Sequence, residues 1–94
     1  MKGVRVEFVV SQVTIYTKPF CPYCERAVGL LTRKGVDFEE IVASIDPEKR
    51  EEMRRRSGRM TYPQVFIGDR HIGGCDDLHD LDRKGELDRL LEAA

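Results

Sequence analysis

Val13-Thr14-Ile15-Tyr16-Thr17-Lys18-Pro19-Phe20-Cys21-Pro22-Tyr23-Cys24 runs from a β-branched stretch into a C-x-x-C pair, and the residues beyond it take up helical spacing. Cys24, Ala27, Val28 and Leu31 fall at i, i+3, i+4 and i+7, one apolar helix face that closes at Gly35. A strand that delivers two cysteines onto a helix N-terminus favours the thiolate of the first and keeps the second within reach. The arrangement points to thiol–disulfide exchange.

Exchange needs a thiolate, and a free cysteine, with a pKa near ~8.5, is mostly protonated at neutral pH. Where the loop enters the helix, unpaired backbone N–H groups and the positive end of the macrodipole face Cys21, and Lys18 on the same loop adds a positive charge. Cys21 is therefore the expected nucleophile. Cys24, one turn later on the apolar face, is the expected resolving thiol. The competing use of C-x-x-C is a zinc knuckle, for which Cys75 and His79 would complete a Cys3His set. A knuckle wants a glycine after its second cysteine, whereas Glu25-Arg26-Ala27-Val28 continues as helix, so no metal is expected.

Further along, Val36 to Ile45 reads as a second strand with a trailing loop. Asp46 as N-cap and Pro47 at the first helical position then open a helix that Gly58 closes, with Met53 its one apolar residue. Gln64-Val65-Phe66-Ile67, Gly68-Asp69-Arg70 and His71-Ile72 predict a hairpin, with His71 an ordinary strand residue. Two short helical patterns follow, around Leu78 and Leu81 and around Leu87, Leu90 and Leu91, with Gly85 between them; His79 reads as a surface helical residue. The order βαβαββα plus a terminal helix predicts an α/β fold with its first two strands parallel and its last two antiparallel. Residues 1–12 are set apart as an N-terminal extension, either an extra strand built on Val4, Val6, Phe8 and Val10 or a loose segment, and 13–94 form the domain.

Composition narrows the function. A chain of 94 residues makes one domain, and 16 Lys plus Arg against 17 Asp plus Glu give no attraction for nucleic acid. The basic run Arg54-Arg55-Arg56, with Arg50 and Arg59 nearby, reads as a solvated helix face paired with Glu51 and Glu52. Three cysteines are too few for a disulfide scaffold and leave one unpaired, which suits a reducing, cytoplasmic setting. Arg5 and Glu7 interrupt any signal-peptide core, and no stretch is long enough to span a bilayer, so no membrane role is expected.

Two further segments suggest a ligand. In Thr61-Tyr62-Pro63 a cis bond would turn the Tyr62 N–H and C=O outward as an edge for an extended peptide, although the local sequence favours a trans proline opening a strand. Gly73-Gly74-Cys75-Asp76-Asp77 sets a helix N-terminus beside carboxylates, which matches a ligand bearing an α-carboxylate and an α-ammonium, with a second carboxylate reaching Lys18 or Arg59. Glutathione has those charges around a central cysteine. A hairpin end followed by an Asp-capped helix would explain the glycines equally well.

Taken together, Thr17-Lys18-Pro19-Phe20-Cys21-Pro22-Tyr23-Cys24, Thr61-Tyr62-Pro63 and Gly73-Gly74-Cys75-Asp76-Asp77 resemble the glutaredoxins, most closely the short bacterial dithiol type, over about Val13 to Leu91. The resemblance implies a thioredoxin-like fold, a four-stranded mixed sheet flanked by helices, and makes Pro63 cis. It implies a glutathione-dependent oxidoreductase, with Cys21 accepting glutathione or a protein sulfur and Cys24 resolving. Lys18 and Arg59 would hold the glycine carboxylate, Tyr23 would flank the sulfur site, and Tyr62 would pair by backbone with the cysteinyl part beside Thr61 and Pro63. Gly74, Cys75 and Asp76 would meet the γ-glutamyl carboxylate, and Asp77 its ammonium.

The partners implied are glutathione and disulfide-bearing or glutathionylated proteins, acting on a monomer. Tyr62 stands where the family has valine, a large ring expected beside Cys21. Two rivals follow from the same resemblance: a redoxin fed by a flavin reductase, and a carrier that shares a 2Fe–2S cluster through Cys21 and glutathione.

Overall fold

The β-branched stretch Val13–Thr17 forms strand β1 in the computed structural model, which describes residues 12–92, and all five of its residues are buried. Burial on both faces follows from its place inside a sheet of order β2-β1-β3-β4. Helix α1, Pro22–Arg33, carries proline in its first turn and buries Cys24, Ala27, Leu30 and Leu31, the expected face with Leu30 added and Val28 at its margin. It crosses over to β2, Phe38–Val42, which pairs parallel with β1 from Val13↔Phe38 to Thr17↔Val42. The trailing loop is a 3₁₀ turn, Ala43–Ile45.

Helix α2, Pro47–Ser57, opens and closes where the sequence places its caps. The Asp46 carboxylate accepts the N–H groups of Glu48 and Lys49 at 3.1 and 3.4 Å, and Gly58 takes the left-handed conformation at φ 74°. Strand β3, Gln64–Ile67, runs antiparallel to β1, and β4, Arg70–Gly73, completes the hairpin. Helices α3, Cys75–Arg83, and α4, Leu87–Glu92, end the described chain. The result is the expected four-stranded mixed sheet flanked by helices. No helix among the described residues is long and apolar enough to cross a membrane.

The two sheet faces differ in character. Val13, Ile15, Val65 and Ile67 meet Ala27, Leu30, Leu31, Leu78, Leu87 and Leu91 in one apolar core under α1, α3 and α4. On the other face Tyr16 and Phe66 meet Ala43 and Met53, with Ile41 and Tyr62 at the edge, and this cluster is crossed by polar bonds. The Tyr16 hydroxyl donates to the Glu52 carboxylate and accepts from Arg56 Nη1 at 2.8 Å. Arg56 also donates to the Gly68 carbonyl at 3.2 Å, and its guanidinium lies 4.0 Å over the Phe66 ring.

This corrects the reading of the basic run. Arg54 does pair with Glu51 on the exposed side, three residues apart, but Arg56 reaches over the sheet to donate to the Tyr16 hydroxyl, which in turn donates to Glu52, instead of simply facing solvent. The proposed strand or loose segment at the N-terminus falls outside the described residues except for Gln12, whose carbonyl accepts the Gly68 N–H at 2.7 Å.

Candidate active site

Cys21 is the N-cap of α1, and its Sγ accepts the Cys24 N–H at 3.2 Å, so a free N–H of the first turn points at the sulfur. The preceding Phe20 makes the turn from β1 into the helix at φ 55°, a left-handed conformation that a non-glycine residue rarely adopts, and its ring is 98% exposed. Cys21 and Cys24 are each only 4% exposed. Burial, and then the hydrogen bond with Cys21, push the Cys24 thiol up to about 12, against a smaller opposing effect of Lys18. At neutral pH Cys24 is therefore held as the thiol.

Most of the remaining candidates converge. Tyr23, Tyr62, Pro63, Gly74, Cys75, Asp76 and Asp77, drawn from α1, the loop before β3 and the start of α3, line one depression of about 210 Å³. The Tyr62–Pro63 bond is cis, so the preference of the local sequence for trans is overturned. Gly73 is required by its setting: at φ 120°, a Cβ there would collide with the Asp77 carboxylate. That carboxylate accepts the Gly74 N–H at 2.9 Å and also meets Arg59 Nη1 at 3.4 Å. Arg59 and Asp77, expected at opposite ends of a ligand, are thus paired directly with each other.

Lys18 is exposed, with its ammonium 6.0 Å from the Tyr62 ring centroid, and it lines a separate groove of about 440 Å³ with Phe20, Cys21, Cys24, Glu25 and Glu40. Thr61 is exposed and lines neither depression. Tyr62 lines the smaller depression with Tyr23 and Cys75, and it also packs on the Tyr16 and Phe66 cluster. Cys75 is buried, which pushes its thiol up. The His79 Nδ1–H donates to the Cys75 carbonyl at 2.9 Å and lies 3.5 Å from its sulfur.

Sequence reading misses Gln64 and His71. Gln64 is 0% exposed, and its Oε1 sits 2.7 Å from Nε2 of His71, which stands on β4 as a strand residue. The one signal that could have found them is a glutamine set directly after proline in an otherwise apolar strand.

A dithiol at the N-terminus of a helix, laid on a four-stranded mixed sheet with a cis proline before β3, defines a thiol oxidoreductase of thioredoxin-like fold. Comparison with known proteins narrows this. The family model for glutaredoxin matches residues 13–72. The glutaredoxin of Pseudomonas aeruginosa is 58% identical over 81 residues, covering 86% of this chain and 96% of that protein. The solution structure of glutaredoxin from Brucella melitensis superimposes with a TM-score of 0.78 at 59% identity, over 88% of this chain and 90% of the other. A buckwheat glutaredoxin–glutathione complex gives a TM-score of 0.75 at 30% identity, over 87% of this chain and 81% of the other. The chain belongs to the glutaredoxin family and is of its short bacterial type.

Proposed function

We propose that the protein is a glutathione-dependent oxidoreductase that reduces protein disulfides and protein–glutathione mixed disulfides. The observation that supports this most directly is the N-cap position of Cys21, whose sulfur accepts a helix N–H, two residues before Tyr23 in the wall of the depression that Tyr62, Gly74 and Asp77 also line. That a related glutaredoxin is solved with glutathione supports the choice of co-substrate.

In the forward step the Cys21 thiolate attacks one sulfur of the substrate disulfide, the old S–S bond breaks, and its other sulfur leaves as a thiolate. Cys24 or a free glutathione then attacks the mixed disulfide. Because Cys24 is protonated, it gives up its proton as it attacks, and the departing thiolate takes that proton. Two glutathione molecules, becoming one glutathione disulfide, return the oxidised pair to dithiol.

Lys18 and Arg59 attract the glycine carboxylate, and the Tyr62 backbone, with Thr61 and Pro63 beside it, receives the cysteinyl part. Tyr23 flanks the sulfur. Gly74, Cys75 and Asp76 offer the α3 N-terminus to the γ-glutamyl carboxylate while Asp77 meets its ammonium. For Asp77 to do so, its pair with Arg59 must exchange for the ligand's own charges. We place the protein in the cytoplasm as a monomer.

The test is a coupled assay with glutathione, glutathione reductase and NADPH on a small glutathione mixed disulfide. Turnover is expected to vanish in Cys21→Ser, while Cys24→Ser keeps activity on glutathionylated substrates alone. An active Cys21→Ser would sink the assignment. No turnover in wild type with intact thiols would favour the reductase-fed redoxin, or the cluster carrier if anaerobic reconstitution gave a brown protein.

A further inference from the structure

A glutamine buried in an inner strand is costly unless every polar atom of its amide is matched, and an apolar residue would fill the space at no such cost. Gln64 is the first residue of β3 and shares the α2 side of the sheet with Phe66, two residues on. Its Nε2 donates to the Thr61 carbonyl at 3.0 Å and to Thr61 Oγ1 at 2.9 Å. Its Oε1 faces His71 Nε2 at 2.7 Å; since that oxygen can only accept, Nε2 carries the proton and donates. His71, on β4, is fixed in turn by its ring, tilted 31° and 4.9 Å from that of Phe66.

The amide is therefore a clamp with a defined polarity. A flip would set Oε1 against the Thr61 carbonyl, acceptor against acceptor, so that carbonyl fixes which end of the amide points at Thr61, and His71 takes the tautomer that matches the other end. What the clamp holds is the loop between α2 and β3. The other local bonds of that loop, Ser57 Oγ with the Arg59 N–H and carbonyl, sit at its far end. Thr61 is otherwise exposed, and the next residue is Tyr62, whose backbone lies at the cis bond.

We infer that Gln64 and His71 are positioning residues that hold the Thr61–Tyr62 backbone where it pairs with the cysteinyl part of glutathione. The inference rests on the glutathione reading and adds to it two residues that touch neither sulfur nor ligand. Backbone recognises a peptide by matched N–H and C=O groups, so slack in that backbone weakens recognition of the peptide without altering the thiol itself.

The experiment compares wild type with Gln64→Leu and with His71→Phe, which keeps an aromatic ring against Phe66. Two rates are read for each: kcat/KM for a glutathionylated peptide, and the alkylation rate of Cys21 by iodoacetamide, which has no peptide to pair. Gln64→Leu is expected to lower kcat/KM about tenfold, mainly through KM, and to leave alkylation unchanged; His71→Phe lowers kcat/KM about threefold. If both variants keep wild-type kcat/KM, or if kcat/KM and alkylation fall together, the positioning role is wrong. Should Gln64→Leu fail to fold, His71→Phe decides alone. Failure of the glutathione reading looks different: wild type itself would then treat glutathione and 2-mercaptoethanol mixed disulfides alike.

Discussion

The two faces of the sheet solve the same packing problem in opposite ways. Under α1, α3 and α4 the strands meet mostly aliphatic side chains, and shape and volume decide the packing. Under α2, a helix with Met53 as its one buried residue, the strands meet Tyr16, Phe66, Gln64 and a guanidinium, and the packing is decided by who bonds to whom. The apolar face fixes the fold, while the polar face ties α2 and the loop after it to the strands. That loop leads into the candidate site.

The comparison breaks most visibly on the apolar face. Leu31 is 0% exposed among Ile15, Ala27, Leu30 and their neighbours, so Leu31→Ala loses transfer energy and leaves a cavity. It is expected to lower unfolding free energy by about 2–5 kcal/mol, measured by urea titration. A loss under about 1 kcal/mol would mean that this face is not close-packed around Leu31.

Tyr16→Phe cuts the polar face at its centre. It removes the donor to Glu52 and the acceptor for Arg56 while keeping the ring edge-on to Phe66, 5.8 Å between centroids. Hydrogen bonds to charged groups set the expected loss at about 1–3 kcal/mol near neutral pH. The pH dependence gives a sharper signature. The bond from Tyr16 holds the Glu52 carboxyl below its ordinary range, with Lys49 helping, so this stability is present above about pH 4.3 and is lost as pH falls through the depressed value.

Burial first, then the Glu52 bond, raise the Tyr16 phenol, so its contribution is present below about pH 10 and is lost as pH rises through the raised value. The gap in stability between wild type and Tyr16→Phe should therefore be a plateau that shrinks at both ends. A gap that did not change with pH would mean that the phenol and Glu52 are not linked.

The same contrast explains what is legible in the sequence. Helical spacing after Cys21, the caps Asp46 and Gly58, and the turn at Gly68 are local, each readable within a few residues. Apolar periodicity likewise marks Leu31 and Leu78 from their spacing alone. Tyr16, Glu52 and Arg56 meet across 36 and 40 positions, so their contact depends on strand order and on which face α2 covers. Gln64 and His71 need the hairpin register, including its irregularity between Val65 and Phe66. Local sequence misjudges the cis bond at Pro63 because one proline before a strand carries little information; it is the ordered set of three motifs that points the right way.

The smallest effect expected, and the most discriminating, separates two tyrosines on the same face. The Tyr16 hydroxyl has two partners, whereas the Tyr62 hydroxyl is buried with none among the described residues. Burial pushes the Tyr62 phenol up, against a smaller pull from Arg50, as expected of a hydroxyl sunk in the cluster without an acceptor. Removing a paired hydroxyl and removing an unpaired one should then differ in sign. Tyr62→Phe keeps the ring on the Tyr16 and Phe66 cluster and relieves the desolvated oxygen, so stability should hold or rise by about 0.5–1 kcal/mol in the same urea titration that shows Tyr16→Phe falling. A loss as large as that of Tyr16→Phe would show that the Tyr62 hydroxyl is bonded in solution, and the polar network would then extend from α2 to a residue that lines the candidate site.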